Sequence, residues 1–195
     1  MNAVVCKGKL KLNKLYLLSI SGSPRTGMKN IWCKLSVPKY RFILWQAFHQ
    51  KLLTRDLLQH CNIPIISQCC PVCESDMESH AHLFFDCLFS RKVLQSVANW
   101  LGDLIWPGNF QSWCCWLEKP SKDDLSWVVA ATLAASVYFI WKNRNKCWLE
   151  NCCFSVAHVD VLIRNSVKDR VNNLSRRSKN LNLREKLMIH FFSRL

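Results

Sequence analysis

The sequence predicts a mainly α-helical fold, and three observations predict it. Apolar residues recur at three- and four-residue spacing in several separate stretches. One run, Leu125 to Trp141, is seventeen residues long and carries no charge. A compact cluster of cysteine and histidine between residues 70 and 87 offers a staple for a small helical unit ahead of that run.

Taken in order, residues 1–30 read as a basic, irregular segment broken by Gly22-Ser23-Pro24 and Gly27. A first helix begins near Pro38, a residue suited to the first turn. Phe42, Trp45, Phe48 and Leu52 then form one apolar face. Thr54 is placed to cap a short second helix carrying Leu57, Leu58 and Cys61. Residues 62–68 read as a loop leading into the cysteine cluster, where at most a small hairpin is expected. Beyond it, Ser90 is placed to cap a helix with Val93, Leu94, Val97 and Leu101 on one side, stopped by Gly102. Residues 103–123 read as a connector rich in Trp and Cys. A long apolar helix from about Asp124 to Trp148 follows, then an amphipathic helix starting after Ser155. The latter places Val156, Val159, Ile163, Val167, Val171 and Leu174 on one face and Arg164, Lys168 and Arg170 on the other. Residues 175–180 read as a linker before a short basic tail. The domain division is therefore 1–30, 31–102, 103–123 and 124–195.

The chain of 195 residues has a formal charge of +14, unevenly spread. Residues 1–60 hold eleven Lys and Arg against one acid, residues 61–141 four against eight, and residues 142–195 twelve against four. Basic flanks around a mildly acidic middle point to a polyanionic partner, nucleic acid first (RNA or DNA). Lys39, Arg41, Lys51 and Arg55 are the candidate contacts, with Trp and Phe available for stacking. The rival reading is a protein-interaction module that docks through Trp100, Trp106, Trp113 and Trp116 and the helix near 156–174.

Cysteine usage favours a reducing compartment. The apolar stretch Leu15 to Ile20 is too short for a secretory signal, so Cys6, Cys33, Cys114, Cys115, Cys147, Cys152 and Cys153 are read as small hydrophobes. The run from Leu125 to Trp141 sits at the lower limit of a membrane span. Ser126, Thr132, Ser136 and four alanines dilute it, and a buried core helix accounts for it equally simply.

The cluster itself has the spacing C-x2-C-x8-H-x4-C: Cys70, Cys73, His82 and Cys87. Two sulfurs separated by two residues can reach one ion from a single turn, which Pro71 helps set. Three thiolates and an imidazole are the set that Zn²⁺ prefers in closed, structural sites. Cys69 and His80 are the competing donors. Cys69 would make a C-x3-C with the proline displaced. His82 is preferred to His80 because Leu83-Phe84-Phe85 follow it and can wall the site. One structural zinc ion is thus expected.

Around these ligands stand Ile31-Trp32, Val37-Pro38-Lys39, Phe42-Ile43-Leu44-Trp45, Leu52-Leu53-Thr54-Arg55-Asp56, Cys70-Pro71-Val72-Cys73 and Glu78-Ser79 through Cys87. In that order they resemble the reverse transcriptase zinc-binding domain near the C-terminus of plant LINE-type (non-LTR) retrotransposon polyproteins, over about residues 15–102. Ile140-Trp141-Lys142-Asn143-Arg144-Asn145 is similar to an element that often follows in the same proteins. Two departures stand out: Glu74-Ser75-Asp76-Met77 replaces a glycine-containing loop, and Asn143 replaces an acid. The resemblance implies a small zinc-stabilised helical module, an intracellular and nuclear setting, and a lesser place for the membrane reading.

Catalytic chemistry is not found. Asp123-Asp124 is the one Asp pair and lacks a polymerase context. The four acids of residues 142–195 lie on a basic helix instead of in the clustered set that two-metal chemistry needs. His49, His60 and His158 read as packed or surface histidines. The sequence is therefore read as a non-catalytic zinc module that binds nucleic acid, with a protein-interaction module or a non-functional retroelement fragment as alternatives.

Overall fold

The computed structural model describes residues 5–6, 9–10, 31–33, 35–102, 107–118 and 124–177. It is mainly helical, as expected. Its elements are a two-residue antiparallel pair, β1 (Val5–Cys6) with β2 (Lys9–Leu10), then helices α1 (Pro38–Phe48), α2 (Arg55–His60), α3 (Leu88–Leu101), α4 (Phe110–Glu118), α5 (Asp124–Glu150) and α6 (Val156–Arg177). The β1–β2 pair, in register Val5 with Leu10 and Cys6 with Lys9, was not expected in a segment read as irregular. Most of that segment and the basic tail lie outside the described residues, as do Trp106 and Asp123.

Helix α5 is the central element, packed against both α1 and α6, while α3 lies against α6. The alanines that weaken it as a membrane span suit it to this place. Ala130, Ala131, Ala134 and Ala135 are buried and let neighbouring helices come close. Thr132 and Ser136, also buried, donate to the carbonyls of Val128 and Thr132 one turn back (2.8 and 2.9 Å) and so need no partner elsewhere. No described helix is long and apolar enough to cross a membrane. The apolar face expected of α6 is confirmed, with Val159, Ile163, Val167 and Val171 buried. Its polar side is tied down: Ser166 donates to the Tyr40 hydroxyl (2.9 Å) and Arg170 to the Leu35 carbonyl (3.1 Å).

Several local expectations are corrected. In α1, Phe42 is 45 % exposed, whereas Tyr40, Leu44, Trp45, Ala47 and Phe48 are buried. The face turned inward is rotated toward Tyr40 because α5 supplies Tyr138 as its partner, with ring centroids 4.4 Å apart. Leu52 is buried from beyond the helix. Gln50 adopts a left-handed φ of 52°, and the Lys51 amide donates back to the Gln46 carbonyl (2.8 Å), closing α1.

Thr54 does occupy the residue before α2, yet its hydroxyl makes no cap. The Arg55 amide donates instead to the Glu78 carboxylate (2.8 Å), a cap supplied from 23 residues away. Ser90 likewise is no cap. Cys87 precedes α3, and among the described residues the buried Ser90 hydroxyl has no hydrogen-bond partner. Gly102 closes α3 with φ 96°, as expected.

Within the stretch read as a connector, helix α4 forms. Asn109 and Ser112 cap it reciprocally, the Ser112 amide donating to Asn109 Oδ1 (2.9 Å) and the Asn109 amide to Ser112 Oγ (3.3 Å). Trp113 and Leu117 from this helix are buried. The linker expected from residue 175 is helical through Arg177.

The cysteine reading is also corrected. Cys33 and Cys114 are buried thiols as expected, but Cys115 and Cys152 are exposed, and Cys147 and Cys153 form a disulfide. The chain reverses after α5 through Asn151 (φ 49°) and returns residue 153 beside residue 147, with their Cα atoms 4.7 Å apart. The Cys6 side chain lies outside the described residues.

Ser90→Ala tests the reassigned cap. If Ser90 capped α3, the change would cost about 1 kcal/mol. With its hydroxyl buried and unpartnered, the midpoint of thermal unfolding should stay the same or rise.

Candidate metal centre

Residues 68–78 form a small hairpin-like loop. Cys69 bridges to Met77, the Cys70 amide donates to the Asp76 carbonyl (2.7 Å) and the Glu78 amide to the Gln68 carbonyl (2.9 Å). At its tip the Cys70-Pro71-Val72-Cys73 turn closes with the Glu74 amide on the Cys70 carbonyl (2.9 Å). Glu74 takes φ 56°, the left-handed conformation that a glycine would hold without strain.

The second half begins at Ser79. Its carbonyl and hydroxyl accept from the Leu83 and His82 amides (2.8 and 3.0 Å). His82–Asp86 is then a π turn, closed by the Cys87 amide on the His82 carbonyl (2.7 Å). An i→i−5 bond was not foreseen, since the four-residue spacing suits a short turn or one α turn equally well.

These two halves bring all four expected ligands together. The donor atoms of Cys70, Cys73, His82 and Cys87 all lie within 4.8 Å of one another. His82 Nε2 is 3.3 Å from Cys73 Sγ, near the roughly 3.5 Å edge of a tetrahedron with Zn–S of about 2.3 Å and Zn–N of about 2.0 Å. Cys70, Cys87 and His82 are buried, and Leu83 and Phe84 form the apolar wall expected of them. Donor chemistry and spacing therefore fit one structural zinc ion.

The Cys70 and Cys87 thiols are hydrogen-bonded to each other. The Cys87 thiol is held down to about 5 by the hydrogen bond from Cys70, against the effect of burial and with help from the Ser90 and Phe89 amides. That of Cys70 is driven up by the same partner and by burial. Zinc would displace the shared proton. Cys87 thus serves twice, as ligand and as the residue that opens α3.

Both competing donors are placed elsewhere. Cys69 is exposed. His80 is buried with Nδ1 3.3 Å from the Thr54 hydroxyl, and burial holds its pKa below the usual histidine value.

The residues that sequence reasoning missed are Glu78 and Arg144. Arg144 Nε donates to Glu78 Oε1 (2.6 Å) and Nη2 to Oε2 (2.5 Å), and both side chains are essentially inaccessible. The guanidinium is set between two indoles, 4.9 Å from the Trp141 ring and 4.4 Å from that of Trp148. Arg55 joins the group, with its guanidinium 5.8 Å from Trp148 and donating to the Cys69 carbonyl. Asn143, where an acid was expected, is buried and accepts from the Phe154 amide (2.7 Å), fixing the α5–α6 turn. Glu78 and Arg144 each stand among other polar residues, Glu74-Ser75-Asp76 and Ser79 for the one and Lys142-Asn143 and Asn145-Lys146 for the other. The sequence therefore carried no signal that this acid and this base would be buried together.

Of the four candidate nucleic-acid contacts, two are structurally committed. Arg55 is held as described, and Arg41 donates to the Trp32 and Cys33 carbonyls (3.4 Å each). Lys39 is exposed with its ammonium 5.2 Å from the Tyr138 ring, and Lys51 is exposed beyond the end of α1. Trp113 and the apolar side of α6, read as a docking face, are buried in the protein's own core.

This donor set and loop agree with the comparison to known families. Residues 11–93 match the family described as zinc-binding in reverse transcriptase. The matched stretch contains all four ligands and Glu78, while Arg144 lies 51 positions beyond its end. The match is to a zinc-binding domain and not to a polymerase domain. No curated protein and no solved structure matches the chain.

Two outcomes check the site. Metal analysis of the purified protein should find one zinc per chain, lost in Cys70→Ser and His82→Ala but retained in Cys69→Ser and His80→Gln. In the zinc-loaded protein, Arg144→Met should lower unfolding free energy in urea by about 3–5 kcal/mol, because the Glu78 charge stays buried without its partner.

Proposed function

We propose that this chain is a non-catalytic module of a non-LTR retrotransposon reverse transcriptase polyprotein of the plant LINE type, and that it holds RNA or DNA in the nucleus. The observation that supports the reading is the pairing of a donor set that would leave a bound zinc closed to chemistry with an excess of Lys and Arg in the sequence on either side of it. Four protein ligands fill a tetrahedral zinc shell and leave no place for a reactive water. The site then acts as a clasp that holds α1, α2 and α3 in one arrangement.

The cationic excess lies in the segments on either side of it. Phosphate neutralisation by those lysines and arginines would supply affinity with little dependence on sequence. Lys39 and Lys51 are the described candidates exposed enough to serve, while Arg41 and Arg55 serve the fold first.

Fluorescence anisotropy with labelled single-stranded RNA and DNA, from low to physiological salt, tests this. Affinity should fall steeply with salt. A double Lys39→Glu, Lys51→Glu variant should bind more weakly and with a shallower salt slope, while keeping its zinc. Negligible binding of both nucleic acids at low salt would defeat the reading.

A further inference from the structure

Beside the zinc site is a cleft of about 420 Å³, lined by Phe84, Phe85, Asp86, Arg91, Leu94, Gln95, Pro107 and Gly108. Neither the metal site nor the expected nucleic-acid contacts use it. We propose that this cleft is a binding site for one unpaired nucleobase together with its adjacent phosphate. The inference rests on the nucleic-acid reading above and gives it a location.

The cleft is within the size range of small-ligand sites. Phe85 and Leu94, each half-buried, give it an apolar part with the buried Phe84 behind them, and polar groups make up the larger share of its exposed surface. Phe85 meets the buried Trp113 edge to face at 5.5 Å, and Phe84 lies 6.2 Å from the same ring. The second wall, Pro107-Gly108, leads into α4, whose start is fixed by the Asn109–Ser112 cap. The exposed part of Phe85 offers an aromatic surface to a base, whatever its identity.

The polar groups at the cleft supply the rest. Arg91 is exposed, and among the described residues no ion pair or side-chain hydrogen bond engages its guanidinium, although Asp86 lines the same cleft. With Lys92 next to it, Arg91 forms the one described basic pair of the acidic middle segment. A guanidinium so placed, at the same cleft as Phe85, is available to a phosphate. Asp86 can accept from an exocyclic amine, and Gln95, otherwise donating to Asn99 (2.8 Å) on its own helix, can read a base edge. A paired base keeps its faces stacked, so a duplex cannot enter.

The cleft also offers a clean means of blocking it. A Cβ added at Gly108 meets nothing within 4 Å, and its backbone lies outside the left-handed region. Gly108→Trp should therefore be tolerated and put bulk at the cleft wall without altering charge or core, and Arg91→Glu removes the phosphate contact separately.

Anisotropy with oligo(U) and oligo(dT) at low salt, using full-length zinc-loaded protein, gives the test. Both variants should keep one zinc per chain and bind about tenfold or more weakly. Gly108→Trp should leave the salt slope unchanged, whereas Arg91→Glu should lower it by about one charge equivalent. The two oligonucleotides distinguish an RNA from a DNA ligand, and a duplex should not compete.

If wild type binds and both variants match it, the cleft proposal falls and the nucleic-acid reading stands. If the duplex competes as well as single strands, the unpaired-base proposal falls. If wild type does not bind, both fall together.

Discussion

The buried pair of Glu78 and Arg144 is the interaction on which the rest of the structure depends. Two charges withdrawn from water are costly unless each finds full compensation. Here the carboxylate accepts from both guanidinium nitrogens and from the Arg55 amide, and the guanidinium rests against two indoles. Those contacts settle three things at once. They fix the end of the zinc loop, the start of α2 and the position of α5 relative to both. A hydrophobic pair of similar size could fill the volume but would impose no such alignment, because only the charged pair penalises every arrangement that leaves either group alone.

What was legible in the sequence follows from how locally each feature is determined. The ligands Cys70, Cys73, His82 and Cys87 could be read because metal geometry demands close spacing along the chain. The extent of α5 could be read from composition and the start of α6 from Ser155, whose hydroxyl does accept from the His158 amide. Features decided by distant partners could not be read. Phe42 was placed inside and Tyr40 was overlooked because the choice depends on Tyr138, nearly a hundred residues on. Thr54 and Ser90 looked like caps, but Glu78 and Cys87 hold those places for reasons that lie in the metal loop. Helix α4 was missed although Phe110, Trp113, Cys114 and Leu117 keep helical spacing, because Cys115 and Trp116 between them made the stretch read as a uniformly Trp- and Cys-rich connector. The Cys147–Cys153 pairing needed the reversal after α5, which sequence spacing does not announce.

The same dependence bears on how far the zinc unit extends. The family match ends at residue 93, yet the carboxylate within it is completed only by α5. Leu83 and Phe84 from the metal site, Val93 and Val97 from α3 and Ile140 from α5 share one contiguous core. Metal, loop and long helix are thus physically a single cooperative body. Its charge is divided in a compatible way: acids are used inside or near the clasp, and exposed cations are left on the elements around it.

The π turn at His82–Asp86 gives the segment between two ligands one residue in reserve. It has one residue more per turn than an α-helix, and both of its ends are occupied, one by a ligand and the other by a ligand that also begins α3. Removing a single residue from Leu83-Phe84-Phe85-Asp86 would let the segment close as an α turn, which also carries the chain through about one turn. The sulfur of residue 87 and the apolar side of α3 would then keep nearly their direction. Removing a second residue, or one from the α-helical turns that follow, has no such outlet and would rotate everything beyond by about 100°. A one-residue deletion should therefore be borne between these two ligands more easily than inside α3.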